Sequence, residues 1–202
     1  MDLPLIGVTG RAGAGKDTTC NMAVDILRAE AQRLGVRIAL ADPLKEVCHT
    51  IFGVAFDLPT SVFEGTQDEK NAPIAAIPGW SGRKIAQHIG TEGFRHIYPD
   101  IWSELVYARA RKYVTSGYDA VFVSDVRFLN EAKFIQDKGG LIVRVARPSA
   151  DVSENQGIAG HASEAETGLI DADFVLDNSG TLDDLNKKVR NLLCQLHFLR
   201  ST

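Results

Sequence analysis

Five short apolar runs divide the chain, at residues 5–9, 37–41, 120–124, 141–146 and 174–176. Most are continuous rather than alternating, as strands buried on both faces of a parallel sheet must be. Between them the pattern changes to helical spacing. Cys20, Val24, Leu27, Ala31 and Leu34 recur on one helical face after the first run. Asp42-Pro43 reads as a helix start with proline at the first helical position, and Leu44, Val47, Cys48 and Ile51 share a face behind it. Residues 81–98 and 101–116 predict two further helical stretches, and 130–138 a short helix closed by Gly139-Gly140. The last helix starts at Thr181, with Asp184 at capping-box spacing. It turns Leu182, Leu185, Val189, Leu192, Leu193, Leu196 and Leu199 towards the sheet. This alternation predicts a doubly wound α/β fold with right-handed crossovers. Two stretches break it. Residues 53–79 are polar and loop-rich, and 148–168 form a polar insertion with Gly and Ser. Long loops in a compact domain usually carry function, so a substrate-covering region and a lid are expected there.

Composition narrows the class. The chain has 202 residues, 45% of them hydrophobic, which suits one compact domain with a small inserted lid. A formal net charge of −4 disfavours a nonspecific nucleic-acid binder, which needs a basic face to displace counterions. Cys20, Cys48 and Cys194 lie far apart without metal or redox spacing, so reduced core thiols in a cytoplasmic protein are expected. No secretion signal is expected, because the N-terminus lacks a basic region followed by a long apolar stretch, and no membrane partner, because no run approaches the length of a spanning helix.

The candidate chemistry begins at Gly10-Arg11-Ala12-Gly13-Ala14-Gly15-Lys16-Asp17-Thr18, between the first run and the first helix. It fits the phosphate-loop spacing G-x-x-x-x-G-K, with Asp17 where Ser or Thr is usual. Glycines let successive main-chain N–H groups turn around a phosphate, the helix start favours the same anion, and the lysine reaches the β- and γ-phosphates. Asp17 could bind a metal through water, leave that role to Thr18, point at the acceptor, or only complement the helix terminus.

In open parallel sheets, ligands bind outside the carboxyl ends of the strands. The residues there are Asp42, Asp125 followed by Val126 and Arg127, Arg144 and Arg147, and Asp177-Asn178. A phosphate loop, carboxylates and arginines on one edge point to phosphoryl transfer, which depends on positioning and charge neutralisation. Each group also has a structural reading. Asp42 could cap a helix, Asp125 could pair with Arg127, and Arg147 could be a solvated strand end. His161 reads as a polar loop residue, since no second metal ligand stands at suitable spacing.

Taken together, these motifs resemble the phage-type deoxynucleoside monophosphate kinases, a branch of the P-loop nucleoside monophosphate kinases. The resemblance runs through Gly10–Thr19, Ala41-Asp42-Pro43-Leu44-Lys45, Gly90-Thr91-Glu92 with Arg95 and Trp102, Ser124-Asp125-Val126-Arg127-Phe128 with Asn130-Glu131, and His161-Ala162-Ser163-Glu164. It covers nearly the whole chain in order. The final segment, 172–180, also resembles the base loop of small kinases such as dephospho-coenzyme A kinase.

The resemblance implies a three-layer α/β/α P-loop fold over residues 1–202, with a five-stranded parallel sheet, an acceptor region at 53–102 and a lid at 148–168. It implies transfer of the ATP γ-phosphate to a 2′-deoxynucleoside 5′-monophosphate, with Mg²⁺. Arg11, Ala12, Gly13, Ala14, Gly15, Lys16, Asp17 and Thr18 would hold ATP, joined by Arg144, Asn178 and Gly180. Asp17, Thr18 and Asp125 would serve the metal, directly or through water. Arg127 and Arg95 would grip the acceptor phosphate. Arg83, Gln87 and Thr91, with Asp42, Lys45, Trp102 and Glu131, would complete the acceptor side. Arg144 or Arg147 would stabilise transition-state charge, and the lid would exclude water.

The expected partners are small nucleotides, in the cytoplasm of a host cell if the chain is phage-encoded. Rival readings keep the kinase class but change the acceptor to a modified base in DNA or to dephospho-coenzyme A. A nucleotide-switched binding protein is the rival from another class. Against it, Asn186-Lys187-Lys188-Val189 lacks the acid of a guanine-reading motif. Helical faces around Trp102 and Tyr113 suit core packing and a homodimer contact equally.

Overall fold

A computed structural model describes residues 4–148 and 166–199. The chain divides into two compact units, Met1–Ala39 with Tyr107–Thr202, and Leu40–Val106.

The first unit is built on five parallel strands in the order β2-β3-β1-β4-β5. They are β1 (Leu5–Thr9), β2 (Gly35–Ile38), β3 (Ala120–Val126), β4 (Leu141–Ala146) and β5 (Phe174–Asp177). Helices α1 (Lys16–Ala31) and α10 (Leu182–Gln195) cover one face. Ile6 and Val8 of β1 share a buried core there with Cys20, Ala23 and Leu27 of α1, and with Leu185, Val189 and Leu193 of α10. Each fully buried aliphatic side chain of this kind stabilises the fold by roughly 1.5–3 kcal/mol. Strand residues alternate between faces, so Gly7 belongs to the other side, beside Ile135 of α9 (Leu129–Asp137). Tyr107 of α8 (Ile101–Thr115) stacks edge-on against Phe134 of α9. The result is a three-layer α/β/α fold.

Three differences from the sequence reading have local causes. β2 starts and stops earlier than 37–41, because Leu40 already has helical backbone angles (φ −63°, ψ −28°) and leads into α2 (Ala41–Cys48). Pro43 is therefore the third helical residue, not the first. β3 runs two residues beyond Ser124, pairing Val126 with Thr9, so Asp125 is a strand residue. Leu34 and Leu182 are exposed. Leu34 lies beyond the left-handed Gln32 (φ +54°) that ends α1, and Leu182 is the first residue of α10.

The second unit is all helical. After α2 the chain makes a widened turn, His49–Gly53, then α3 (Val54–Phe56), α4 (Ser61–Glu64) and α5 (Gln67–Asn71). The widened turn carries Ile51 off the buried face, and it is exposed. A continuous helical run follows: α6 (Gly82–Gln87), a second widened turn (His88–Phe94) and α7 (Arg95–Ile97). Residues 53–79, expected as loop, instead contribute Phe63 and Ile74 to a small core with Cys48 and Ile85. Thr66 and Glu69 form a capping box there, so short helices hold without long apolar stripes.

Candidate active site

The phosphate loop leaves β1 at Gly10 and enters α1 at Lys16. Two of its glycines are fixed by space as well as by angle. Gly10 has φ +147°, and a Cβ there would stand 2.4 Å from the Val145 carbonyl oxygen. Gly15 has φ +95°, and a Cβ would stand 2.6 Å from the Asn178 side-chain nitrogen. The loop is thus pressed against the ends of β4 and β5, and only glycine fits these positions. Lys16 Nζ donates to the carbonyls of Gly10 (2.7 Å) and Arg11 (2.9 Å), which folds the ammonium back over the loop mouth. Thr19 spends its hydroxyl on the Gly15 carbonyl (2.9 Å), while Thr18 is exposed.

Asn178 lies differently from the base contact expected of it. It is buried, and its side-chain amide donates to the Ala14 carbonyl (2.8 Å). Its main-chain N–H donates to the Ala146 carbonyl (2.7 Å). A buried amide engaged this way buttresses the loop from below. Gly180, also expected on the nucleotide, packs against the Asp184 side chain at the start of α10.

Asp125 lies one residue before Val126, the register partner of Thr9, and so beside the start of the loop. Cys20 is fully buried in the first turns of α1. Burial pushes its thiol up, and the charges of Asp17, Arg37, Asp125 and Lys16 all act on it. Those four charged groups therefore lie within electrostatic reach of Cys20. Arg37 was not foreseen. It lies on β2, and one guanidinium nitrogen donates to Asp17 Oδ1 (2.8 Å) and to Ser124 Oγ (3.3 Å). Its only sequence signal was a cation inside an apolar run.

Arg127 is exposed just after β3, and its main chain is held from two sides. Glu131 is 2% exposed, and its carboxylate accepts from the N–H groups of Arg127 (2.8 Å) and Phe128 (3.0 Å) at the start of α9. The buried Thr167 hydroxyl donates to the Arg127 carbonyl (3.2 Å), and Glu166 accepts from Leu129 N–H (3.1 Å). Glu131 therefore positions Arg127 and is too buried for the substrate contact expected of it. Arg144 donates to the carbonyls of Gly168 and Ile170. That engagement braces the chain leading into β5, while Arg147 is exposed at the end of β4. Of the expected lid, 149–165, with His161, lies outside the described residues. Its last residues, 166–168, are the ones tied to Arg127 and Arg144.

In the second unit, Arg83, Gln87, Thr91 and Arg95 are all half-buried. Steps of four residues overshoot a regular helical turn by about 40°, so such a stripe would wind off its face. The widened turn at His88–Phe94 takes up that overshoot. Arg83 Nη1 donates to Gln67 Oε1 (2.9 Å). Asp42 and Lys45 face each other on α2 at 3.4 Å, a loose contact. Trp102 departs from its expected substrate role. It is 2% exposed, donates its indole N–H to the Gly90 carbonyl (3.1 Å) and stacks edge-on with Phe94. It holds the widened turn from behind.

Among the described residues, no three His, Cys, Asp or Glu side chains gather to hold a metal ion. Mg²⁺ in a phosphoryl-transfer site keeps several waters and takes one or two carboxylates besides the substrate phosphates. Asp17 and Asp125, with the exposed Thr18 hydroxyl, are the oxygen donors near the loop whose chemistry would suit it. No helix among the described residues is long and apolar enough to cross a membrane.

The chain is similar to known proteins over most of its length. The family model for deoxynucleotide monophosphate kinase matches residues 60–189. A protein of Acanthamoeba polyphaga mimivirus, provisionally named a deoxynucleotide monophosphate kinase, is 31% identical over 92% of this chain and 93% of its own. The deoxynucleotide monophosphate kinase of Enterobacteria phage T4 is 28% identical over 69% of this chain and 52% of its own. That of Escherichia phage RB69 is 25% identical over 56% and 45%. The chain thus spans about half the length of these two phage enzymes. The chain belongs to the deoxynucleotide monophosphate kinase family.

Proposed function

We propose that the chain transfers the γ-phosphate of ATP to the 5′-phosphate of a 2′-deoxynucleoside monophosphate. The observation that carries this reading is the pairing of a glycine loop closed by Lys16 with an exposed Arg127 whose main chain is held by Glu131 and Thr167. A donor-phosphate cradle and a pre-set arginine are what a two-phosphate reaction needs.

The loop N–H groups and Lys16 hold the donor phosphates. Lys16 moves from the loop carbonyls to the transferring group, where its charge counts most in the transition state. Arg127 grips the acceptor phosphate in line. Arg147 adds positive charge to the transferring phosphoryl. Asp17, Asp125 and Thr18 would hold the water shell of Mg²⁺, which would supply positive charge against the transferring phosphates. The stripe Arg83, Gln87, Thr91 and Arg95 takes the deoxynucleoside part and its phosphate. The reaction is placed in the cytoplasm, where ATP and free nucleotides are available.

A coupled ATP assay tests the reading against separate deoxynucleoside monophosphates, double-stranded DNA and dephospho-coenzyme A. Diphosphate formation from one or more of the monophosphates is expected. Phosphate transfer only to DNA or to dephospho-coenzyme A would overturn the acceptor assignment.

A further inference from the structure

Asp17 brings a negative charge to the first turn of α1, where a phosphate loop usually carries a neutral hydroxyl. The donor polyphosphate arrives at the same helix end, and Asp125 adds a second carboxylate nearby. An unassisted Asp17 would repel the donor and would rotate freely, since its side chain is 72% exposed. β2 supplies a cation that counters both. Arg37 Nη1 stands 2.8 Å from Asp17 Oδ1, and the same nitrogen reaches Ser124 Oγ at 3.3 Å. Ser124 is buried within β3, directly before Asp125. The three residues thus link the start of α1, β2 and the catalytic end of β3.

We propose that Arg37 is a positioning residue for the nucleotide-bound Mg²⁺. It fixes the Asp17 carboxylate against the end of β3, so that the acid standing in place of the loop hydroxyl is presented to the metal's water shell. It also offsets the charge Asp17 sets against the donor phosphates. The inference rests on the donor-site reading above. A charge-assisted hydrogen bond can do this work where a simple surface ion pair would not, because the guanidinium is itself anchored on Ser124. Arginine suits the task better than lysine, since its planar guanidinium directs the hydrogens of that one nitrogen at fixed angles.

The test is ADP binding by titration calorimetry, with and without Mg²⁺, on the full chain. The readout is the ratio of the two dissociation constants, which a merely structural residue would leave unchanged. Arg37→Ala is expected to reduce the Mg²⁺-dependent gain about tenfold, the scale of a hydrogen bond to a charged group. Arg37→Lys should restore part of it. Asp17→Asn should lose the same gain, and the double variant Arg37→Ala, Asp17→Asn should lose no more than either alone. Thermal midpoints should barely move, since the pair is partly solvated. A wild-type ratio in Arg37→Ala, or fully additive losses, would overturn the proposal alone. Absence of any Mg²⁺ gain in the wild type would overturn the donor-site reading and this inference with it.

Discussion

The Glu131 carboxylate accepts the main-chain N–H of Arg127 at 2.8 Å and that of Phe128 at 3.0 Å, so one buried acid sets the turn that presents the arginine. Glu131→Ala leaves two N–H groups at the head of α9 without that acceptor. Hydrogen bonds to a charged group contribute about 1.5–3 kcal/mol each, so loss of both should cost about 3–6 kcal/mol in urea unfolding. Glu131→Gln keeps an acceptor and should remain folded. Its signature is kinetic: the KM for the acceptor rises several-fold while that for ATP stays within about twofold, because only Arg127 is displaced. Equal rises in both would place Glu131 outside acceptor positioning.

Lys16→Ala separates loop folding from loop chemistry. The ammonium bonds two loop carbonyls at 2.7 and 2.9 Å, but the glycine angles and the Asn178 clamp hold the loop without it. The variant should unfold within a few degrees of the wild type. Its turnover should fall about a hundred- to thousandfold, the cost of removing one preorganised charge from the transition state. Near-normal turnover in a folded variant would remove Lys16 from the mechanism.

Legibility followed the range of the interactions. β1 and β4 were readable to the residue because each is a largely apolar run, followed by Gly10 in one case and by Arg147-Pro148 in the other. The capping pair Thr181–Asp184 was readable because both partners lie within one turn. Residues 53–79 were not, since Phe63 and Ile74 are isolated apolar positions whose partners, Cys48 and Ile85, lie outside the segment. The loop motif announced Lys16, but nothing local announced Arg37, or the contact of Asn178 with Ala14, which reach the loop region across 20 and 164 residues. Trp102 and Glu131 show the converse error. A tryptophan and an acid in a motif suggest a ligand, yet each is turned to main-chain groups that only the fold brings near.

Asn178→Ala distinguishes a buttress from a base contact. The substitution removes a buried donor and leaves the Ala14 carbonyl without it. A loss of about 1–2 kcal/mol in urea unfolding is expected. If Asn178 acts through the loop, the KM values for ATP and GTP should rise by the same factor, since both share the triphosphate. A change in their ratio would return Asn178 to the nucleobase.

Acid should weaken the junction of β5 and α10. Hydrogen bonds from the Thr181 hydroxyl and N–H hold the Asp184 carboxyl below its ordinary value of 3.8. Lys188, and then Ser179, do the same for Asp177. Both carboxyls bind protons less readily folded than unfolded, so the unfolded chain takes up the excess protons as pH falls. Their stabilising contribution is complete above pH 3.8 and drains away as pH drops through the lower folded values. Asp184→Asn removes the charge at every pH. Urea midpoints measured from pH 7 to about pH 2 should therefore show the wild type ahead of the variant at neutral pH and the two converging in acid. A gap that stays constant would mean that Asp184 holds the helix start by shape alone, with no part for its charge.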